Sequence, residues 1–123
     1  MKFYKCLLCG RIVGIVKDSA SQLVCCGENM VELIPGTSDG AVEKHVPVVE
    51  ISGTTVTVKV GEVEHPMMDA HYIEWIAIET KAGVQRKVLK PGDAPVATFA
   101  LTEDDQFVEA YAYCNLHGLW ASK

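Results

Sequence analysis

Cys114-Asn115-Leu116-His117 sets a thiolate and an imidazole close enough in sequence to reach one metal ion from a single turn of chain. Cys114 is the only cysteine outside the first quarter of this 123-residue sequence, and His45, His65, His71 and His117 are all of its histidines. A single histidine on a strand is more often a hydrogen-bonded core or surface residue than a ligand. Four of them with one isolated cysteine ask for a common reason. The pattern predicts a site of four imidazoles and one thiolate, assembled from three distant segments that the rest of the fold holds together.

A second set of ligand types lies at the start. Cys6-Leu7-Leu8-Cys9-Gly10 and Cys25-Cys26-Gly27 flank a short strand-like run, Ile12 to Val16. Four thiolates so grouped predict one tetrathiolate metal site, because glycine after a Cys-x-x-Cys knuckle tolerates the tight turn that brings backbone amides to the sulfurs. The adjacent pair Cys25-Cys26 departs from the two-residue spacing of zinc ribbons and requires local distortion of the backbone. Spacing alone leaves iron and a structural zinc equally open, and either would staple a domain too small to build its own core.

Composition narrows the partners. A net charge of -5 with no cluster of Lys and Arg argues against nucleic acid. No apolar run reaches signal-peptide length or the ~20 residues that span a bilayer, so the expectation is a cytoplasmic protein with no membrane partner. In that reducing compartment the cysteines are metal ligands rather than disulfides.

The turn-rich stretch Ile34-Pro35-Gly36-Thr37-Ser38-Asp39-Gly40 predicts an exposed connection, and hence a small domain over 1–36 and a larger one over 37–123. Beyond it, Thr55-Val56-Thr57-Val58-Lys59-Val60 alternates with period two, which turns Val56, Val58 and Val60 inward. Val46 to Ile51, Tyr72 to Thr80, Val84 to Leu89, Val96 to Leu101 and Phe107 to Tyr113 add further short strands, with turns at Lys81-Ala82-Gly83, Lys90-Pro91-Gly92-Asp93 and Thr102 to Asp105. The fold class expected is mainly β: a small metal domain followed by an immunoglobulin-like antiparallel β-sandwich.

Several chemistries compete for the second site. Blue copper uses two histidines, one cysteine and a weak methionine, yet no methionine follows His117; Met67 and Met68 lie between His65 and His71, where a hydrophobic plug is the blander role. Zinc seldom takes five strong protein donors, and a cysteine-histidine nucleophile leaves three histidines unexplained. Five donors including one thiolate suit iron with a sixth position for substrate. Ferrous iron with one thiolate carries about +1, which attracts a small anion despite the acidic chain, and the thiolate donates electron density toward whatever binds. That is an inner-sphere reductant for a small anionic oxidant.

These residues resemble the desulfoferrodoxins, the two-iron class of superoxide reductases, along essentially the whole chain. Tyr4 to Gly10 and Leu23 to Glu28 are similar to the family's desulforedoxin-type centre, and the resemblance implies iron held by Cys6, Cys9, Cys25 and Cys26. Glu43-Lys44-His45-Val46-Pro47, His65-Pro66-Met67, His71 to Trp75, Lys90 to Pro95 and Cys114 to Gly118 resemble its catalytic segments in order and spacing. The resemblance implies a second iron with His45, His65, His71 and His117 equatorial, Cys114 axial, and Glu43 in the sixth position when ferric. It implies that Lys44 draws in superoxide and helps order the water that supplies a proton, and that the Leu116 and His117 amides donate to the Cys114 sulfur. It further implies superoxide reduced to hydrogen peroxide without oxygen release, a protective role against oxidative stress, rubredoxin or a similar small electron donor, and a homodimer. Met68-Asp69-Ala70 departs from the more heavily charged loop usual there, which alters the rim and leaves the ligands untouched. The rival functions are a non-catalytic two-iron electron carrier and a binding module with zinc in both sites. Glu43 and Lys44 beside His45 favour the enzyme, since a carrier needs neither a closing carboxylate nor an anion-steering lysine.

Overall fold

The structure, a computed structural model, describes residues 1–122 and divides into two compact units, Met1–Ile34 and Pro35–Lys123. In the first, β1 (Phe3–Lys5), β2 (Ile12–Gly14) and β5 (Val31–Glu32) form a three-stranded antiparallel sheet in the order β2-β1-β5. A separate hairpin joins β3 (Val24–Cys25) to β4 (Glu28–Asn29). These strands are two or three residues long, too short to bury a continuous core. Phe3, Cys6 and Met30 are the buried hydrophobic residues of this unit. So little apolar burial is the situation in which a metal staple supplies the missing stability.

The second unit begins with a segment crossing residues 35–41, then a single helical turn α1 (Val42–His45) that Pro47 stops from continuing. Strands β6 (Pro47–Ser52), β7 (Thr55–Val60), β8 (Ile73–Thr80), β9 (Val84–Val88), β10 (Val96–Ala100), β11 (Phe107–Cys114) and β12 (Gly118–Ala121) follow. They form two antiparallel sheets, β10-β7-β6 and β12-β11-β8-β9. Between the sheets lie Val56, Val58 and Val60 from β7, Ala97 and Phe99 from β10, Ile73, Ile76 and Ile78 from β8, and Ala110, Ala112 and Cys114 from β11. The inward alternation of β7 is as expected. Small alanines on β11 sit directly across from isoleucines on β8, Ala112 from Ile76 and Ala110 from Ile78, so bulk on one strand fills the space the other leaves.

The two sheets are also tied at one open side. Gln85 Nε2 donates to the Ala100 carbonyl at 2.9 Å, and Lys87 Nζ donates to the Thr98 carbonyl while lying 5.4 Å from the centre of the Phe99 ring. These bonds give the outward carbonyls of edge strand β10 partners within the chain, which blunts the edge as a template for pairing. At the other end of β11 the pairing register shifts between Tyr113 and Cys114. Such an irregularity re-aims one side chain, here the thiol, at the end of a strand otherwise packed in the core.

Candidate metal centres

In the first unit the Cys6-to-Cys9 knuckle joins β1 to β2. The Cys6 amide donates to the Arg11 carbonyl and the Gly10 amide to the Cys6 carbonyl, both at 2.9 Å, with Gly10 at φ +82. The turn aims the Cys9 amide at the Cys6 sulfur, 3.5 Å away. On the other side, Cys26 and Gly27 are the two turn residues of the β3–β4 hairpin, at φ +54 and +76. Positive φ at both central positions is a type I′ turn, and it is the backbone distortion that adjacent cysteines require. Cys26 is the only residue other than glycine at positive φ among the described residues, and that conformation costs about 1–2 kcal/mol for a residue with a Cβ. The result is Cys9 Sγ at 3.6 Å from Cys25 Sγ and Cys25 Sγ at 4.0 Å from Cys26 Sγ, with all four sulfurs within 4.8 Å of one another. The Cys9 amide holds the Cys6 thiol well below its usual range, whereas contact with the Cys9 and Cys6 sulfurs pushes Cys25 and Cys26 up. Crowded sulfurs that cannot all ionise together are a donor set in want of a cation, and four thiolates suit iron or zinc.

The second centre draws on three segments. His45 closes α1, His65 and His71 bound the loop after β7, and Cys114 and His117 flank the turn between β11 and β12. His45 Nδ1 lies 2.7 Å from the Ala41 carbonyl and His65 Nδ1 2.7 Å from the Pro66 carbonyl. A nitrogen facing a carbonyl must carry the proton, so each ring turns an unprotonated Nε2 the other way. Those two Nε2 atoms are 3.1 Å apart, and His117 Nδ1 is 3.1 Å from His45 Nε2 and 3.8 Å from Cys114 Sγ. His71 Nε2 is buried with no hydrogen-bond partner. Lone pairs at such separations repel each other, and an orphaned buried nitrogen is costly; one cation among them removes both penalties. All five donor atoms lie within 4.8 Å of one another, so the residues present fit a five-coordinating metal site.

The environment keeps these donors in their binding forms. Burial pushes the His65 imidazole down to about 4. It lowers His45 and His71 as well, and His71 is lowered further by the charges of His117 and Lys44. Burial raises the Cys114 thiol, and the Leu116 and His117 amides oppose it.

Three residues outside the ligand set shape the site. Trp120 stacks on His45 with ring centres 5.0 Å apart, and its Nε1 donates to the His117 carbonyl at 2.9 Å. Gly40 runs so close that a Cβ there would come within 3.2 Å of His45, His117 and Trp120 at once. The segment predicted to be a mere connection thus forms part of the wall, because its backbone rather than its side chains makes the contact. Gly61 is tighter still: at φ +85, its Cβ would lie 2.5 Å from the Val63 carbonyl oxygen and 2.7 Å from Lys44 Cα. Together with a 2.9 Å bond from the Val63 amide to the Glu43 carbonyl, this seats α1 against the segment leading to His65. The Lys90-to-Asp93 turn donates the Gly92 amide to the Met67 carbonyl at 3.0 Å, which fixes the middle of the His65–His71 loop. Met67 packs on the core as a plug should, whereas Met68 is 69% exposed.

Both units match known sequence families: the desulfoferrodoxin N-terminal domain over residues 1–33 and desulfoferrodoxin over residues 37–123. The chain belongs to the desulfoferrodoxin family. It is 52% identical over 122 residues to the desulfoferrodoxin homolog of Archaeoglobus fulgidus, covering 99% of this chain and 96% of that one. The desulfoferrodoxin of Nitratidesulfovibrio vulgaris is 48% identical, over 99% of this chain and 95% of its own. Among solved structures, the superoxide reductase from Treponema pallidum superposes with a TM-score of 0.82 at 46% identity, covering 98% of both chains. The fold is a small four-cysteine unit and a β-sandwich. The sequence identified all nine candidate ligands that the structure brings together into two groups. It missed Gly40, Gly61 and Trp120. The one available signal was that Gly40 and Trp120 lie close in sequence to the ligands His45 and His117.

Proposed function

We propose that this chain is a superoxide reductase, which adds one electron and two protons to superoxide and releases hydrogen peroxide. The observation that carries this is the convergence of four imidazoles and a single buried thiolate within 4.8 Å. His45, His65, His71, Cys114 and His117 would hold iron, which when bound would supply the electron and a place for the substrate oxygen. The chain's own residues do the rest. Cys114, buried at the end of β11, directs thiolate electron density at the site, and the Leu116 and His117 amides temper it. Carbonyls of Ala41 and Pro66 hold His45 and His65 as neutral donors, so the metal keeps its positive charge toward an anion. Lys44, half-buried on α1, steers superoxide, and the exposed Glu43 beside it is the carboxylate that would serve as a further ligand to oxidised iron.

Cys6, Cys9, Cys25 and Cys26 hold the first iron in this reading, and the chain works as a 1–36 electron-carrying domain and a 37–123 catalytic domain. The exposure of Cys9 and Cys26 supports electron exchange with a small carrier. Rubredoxin as that carrier, a homodimeric assembly, a cytoplasmic location and a role in oxidative-stress protection follow from family membership. No described helix is long and apolar enough to cross a membrane.

The test is stopped-flow mixing of the iron-loaded, reduced protein with superoxide. One hydrogen peroxide per superoxide, with bleaching of the reduced state and no oxygen, is expected. Oxygen evolution, or a reduced protein that superoxide does not oxidise, refutes the assignment, and the second outcome leaves a two-iron electron carrier.

A further inference from the structure

Each ligand imidazole needs something to orient it, and His71 lacks the device its neighbours use. His45 and His65 are each held by a 2.7 Å contact from Nδ1 to a backbone carbonyl. His117 is held through its carbonyl by the Trp120 indole at 2.9 Å. Among the described residues the His71 ring has no such tether, and its Nε2 has no partner at all. What the backbone of His71 does have is a two-way exchange with Met68, at 2.9 and 3.0 Å, that closes a tight loop on itself. That loop is largely exposed, with Met68, Asp69 and Ala70 all open to solvent, so it needs an external anchor.

Asn115 provides it. Its Oδ1 accepts the Tyr72 amide at 3.0 Å and its Nδ2 donates to the Ala70 carbonyl at 3.1 Å. Its own amide adds a third bond, to the Tyr72 carbonyl at 3.2 Å. The two side-chain bonds thus grip the residues immediately before and after His71, across a sequence separation of 43 and 45 residues. The residue that makes them is covalently next to Cys114. We infer that Asn115 is a positioning residue whose amide side chain fixes the His71 imidazole relative to the Cys114 thiolate, and through that geometry sets how firmly the second centre holds its metal and how strongly the thiolate donates. The specific requirement is for one acceptor and one donor on a short arm, which only the Asn amide combines: Asp keeps the acceptor alone, Ala neither. This inference rests on the iron reading of the second centre.

The test uses the full-length, iron-loaded protein with Asn115→Ala and Asn115→Asp. Three quantities are read besides activity: the thiolate charge-transfer band of the oxidised second centre, its midpoint potential, and the rate of iron loss to a chelator. Removing a group that orients a ligand typically costs about 10- to 100-fold in metal affinity, and Asn115→Ala is expected to lose second-centre iron faster by such a factor with a displaced band and potential. Asn115→Asp should fall between alanine and the parent. The first-centre spectrum should be unchanged in both. Gln85→Ala removes a comparable side-chain bond to the Ala100 carbonyl away from the site and should match the parent in all three. A merely structural Asn115 would lower the unfolding temperature while leaving the band and potential in place, and that result overturns the proposal. Should the alanine chain not accumulate folded, Asn115→Asp decides: parental iron retention and band overturn the inference, faster loss with a moved band supports it. A parent protein without a thiolate band on oxidation overturns the iron reading and this inference with it, whereas a parental band in the variants overturns the inference alone.

Discussion

Acid should unfold the metal-free second unit through His65. The ring is 1% exposed, and burial pushes it down to about 4, against an ordinary value near 6.5 that the unfolded chain restores. Between those two values the unfolded state binds a proton that the folded state refuses. Stability is therefore fully present above about pH 6.5 and is lost as pH falls toward 4, at a slope of about 1.4 kcal/mol per pH unit, or about 3 kcal/mol across the window. His45 and His71 are lowered in the same direction and add to the loss. Against a total of about 5–15 kcal/mol for a domain, this is enough to unfold a marginal one. The assay is urea denaturation of chelator-treated protein at about pH 7 and about pH 5, comparing the parent with His65→Gln so that carboxylate titration cancels; the parent should lose about 2 kcal/mol more than the variant. Parallel losses would refute the claim that buried, neutral His65 is the acid-sensitive element. Because metal binding must then also refold a metal-free unit that the acid has destabilised, the apparent iron affinity should fall over the same window.

Gly61→Ala places a Cβ against backbone atoms of Lys44 and Val63 that cannot give way, at φ +85. It should cost about 3 kcal/mol by denaturation and deplete second-centre iron, with first-centre colour intact. Lys44→Ala should lower the second-order rate with superoxide by about tenfold and flatten its dependence on ionic strength, with iron content unchanged; a parental rate and salt slope in stopped-flow would retire the steering role. Cys9→Ser should erase the first-centre spectrum while the pre-reduced second centre still consumes superoxide, and Cys114→Ser should do the reverse. Metal analysis and visible spectra of the two variants check this, and loss of both irons from either one would show that the centres are not independent.

What the sequence made legible was whatever depends on residue type repeated at a fixed period or gathered in one set. The alternation of Val56, Val58 and Val60 announced β7 because one face of that strand meets the core and the other does not. The histidines and cysteines announced the sites because few other roles need so many of them. The small unit was less legible, since strands of two residues such as β3 and β4 have no period to detect. Helix α1, at four residues, is equally silent, too short to show a helical period. Gly40 was misjudged for a different reason. A glycine that turns a loop and a glycine that lets two ligand rings approach are the same letter, and only the distances to His45 and His117 separate them.

The two centres also differ in when they can exist. The first gathers its ligands from residues 6 to 26, and the chain that holds them is closed by short turns. The second joins His45 to His117 across 72 residues, a loop whose ends meet only after both sheets of the sandwich have formed. Loop closure of that length is costly until strand pairing offsets it. On a ribosome emitting about 5–20 residues per second, the first site is complete about 5–20 seconds before the second has its last ligand. A nascent chain therefore presents four sulfurs to the cellular metal pool while His45 and His65 still lack Cys114. Metal is captured at the first centre by an emerging segment and at the second by a finished fold, so the second centre chooses its metal with geometry already imposed and the first does not.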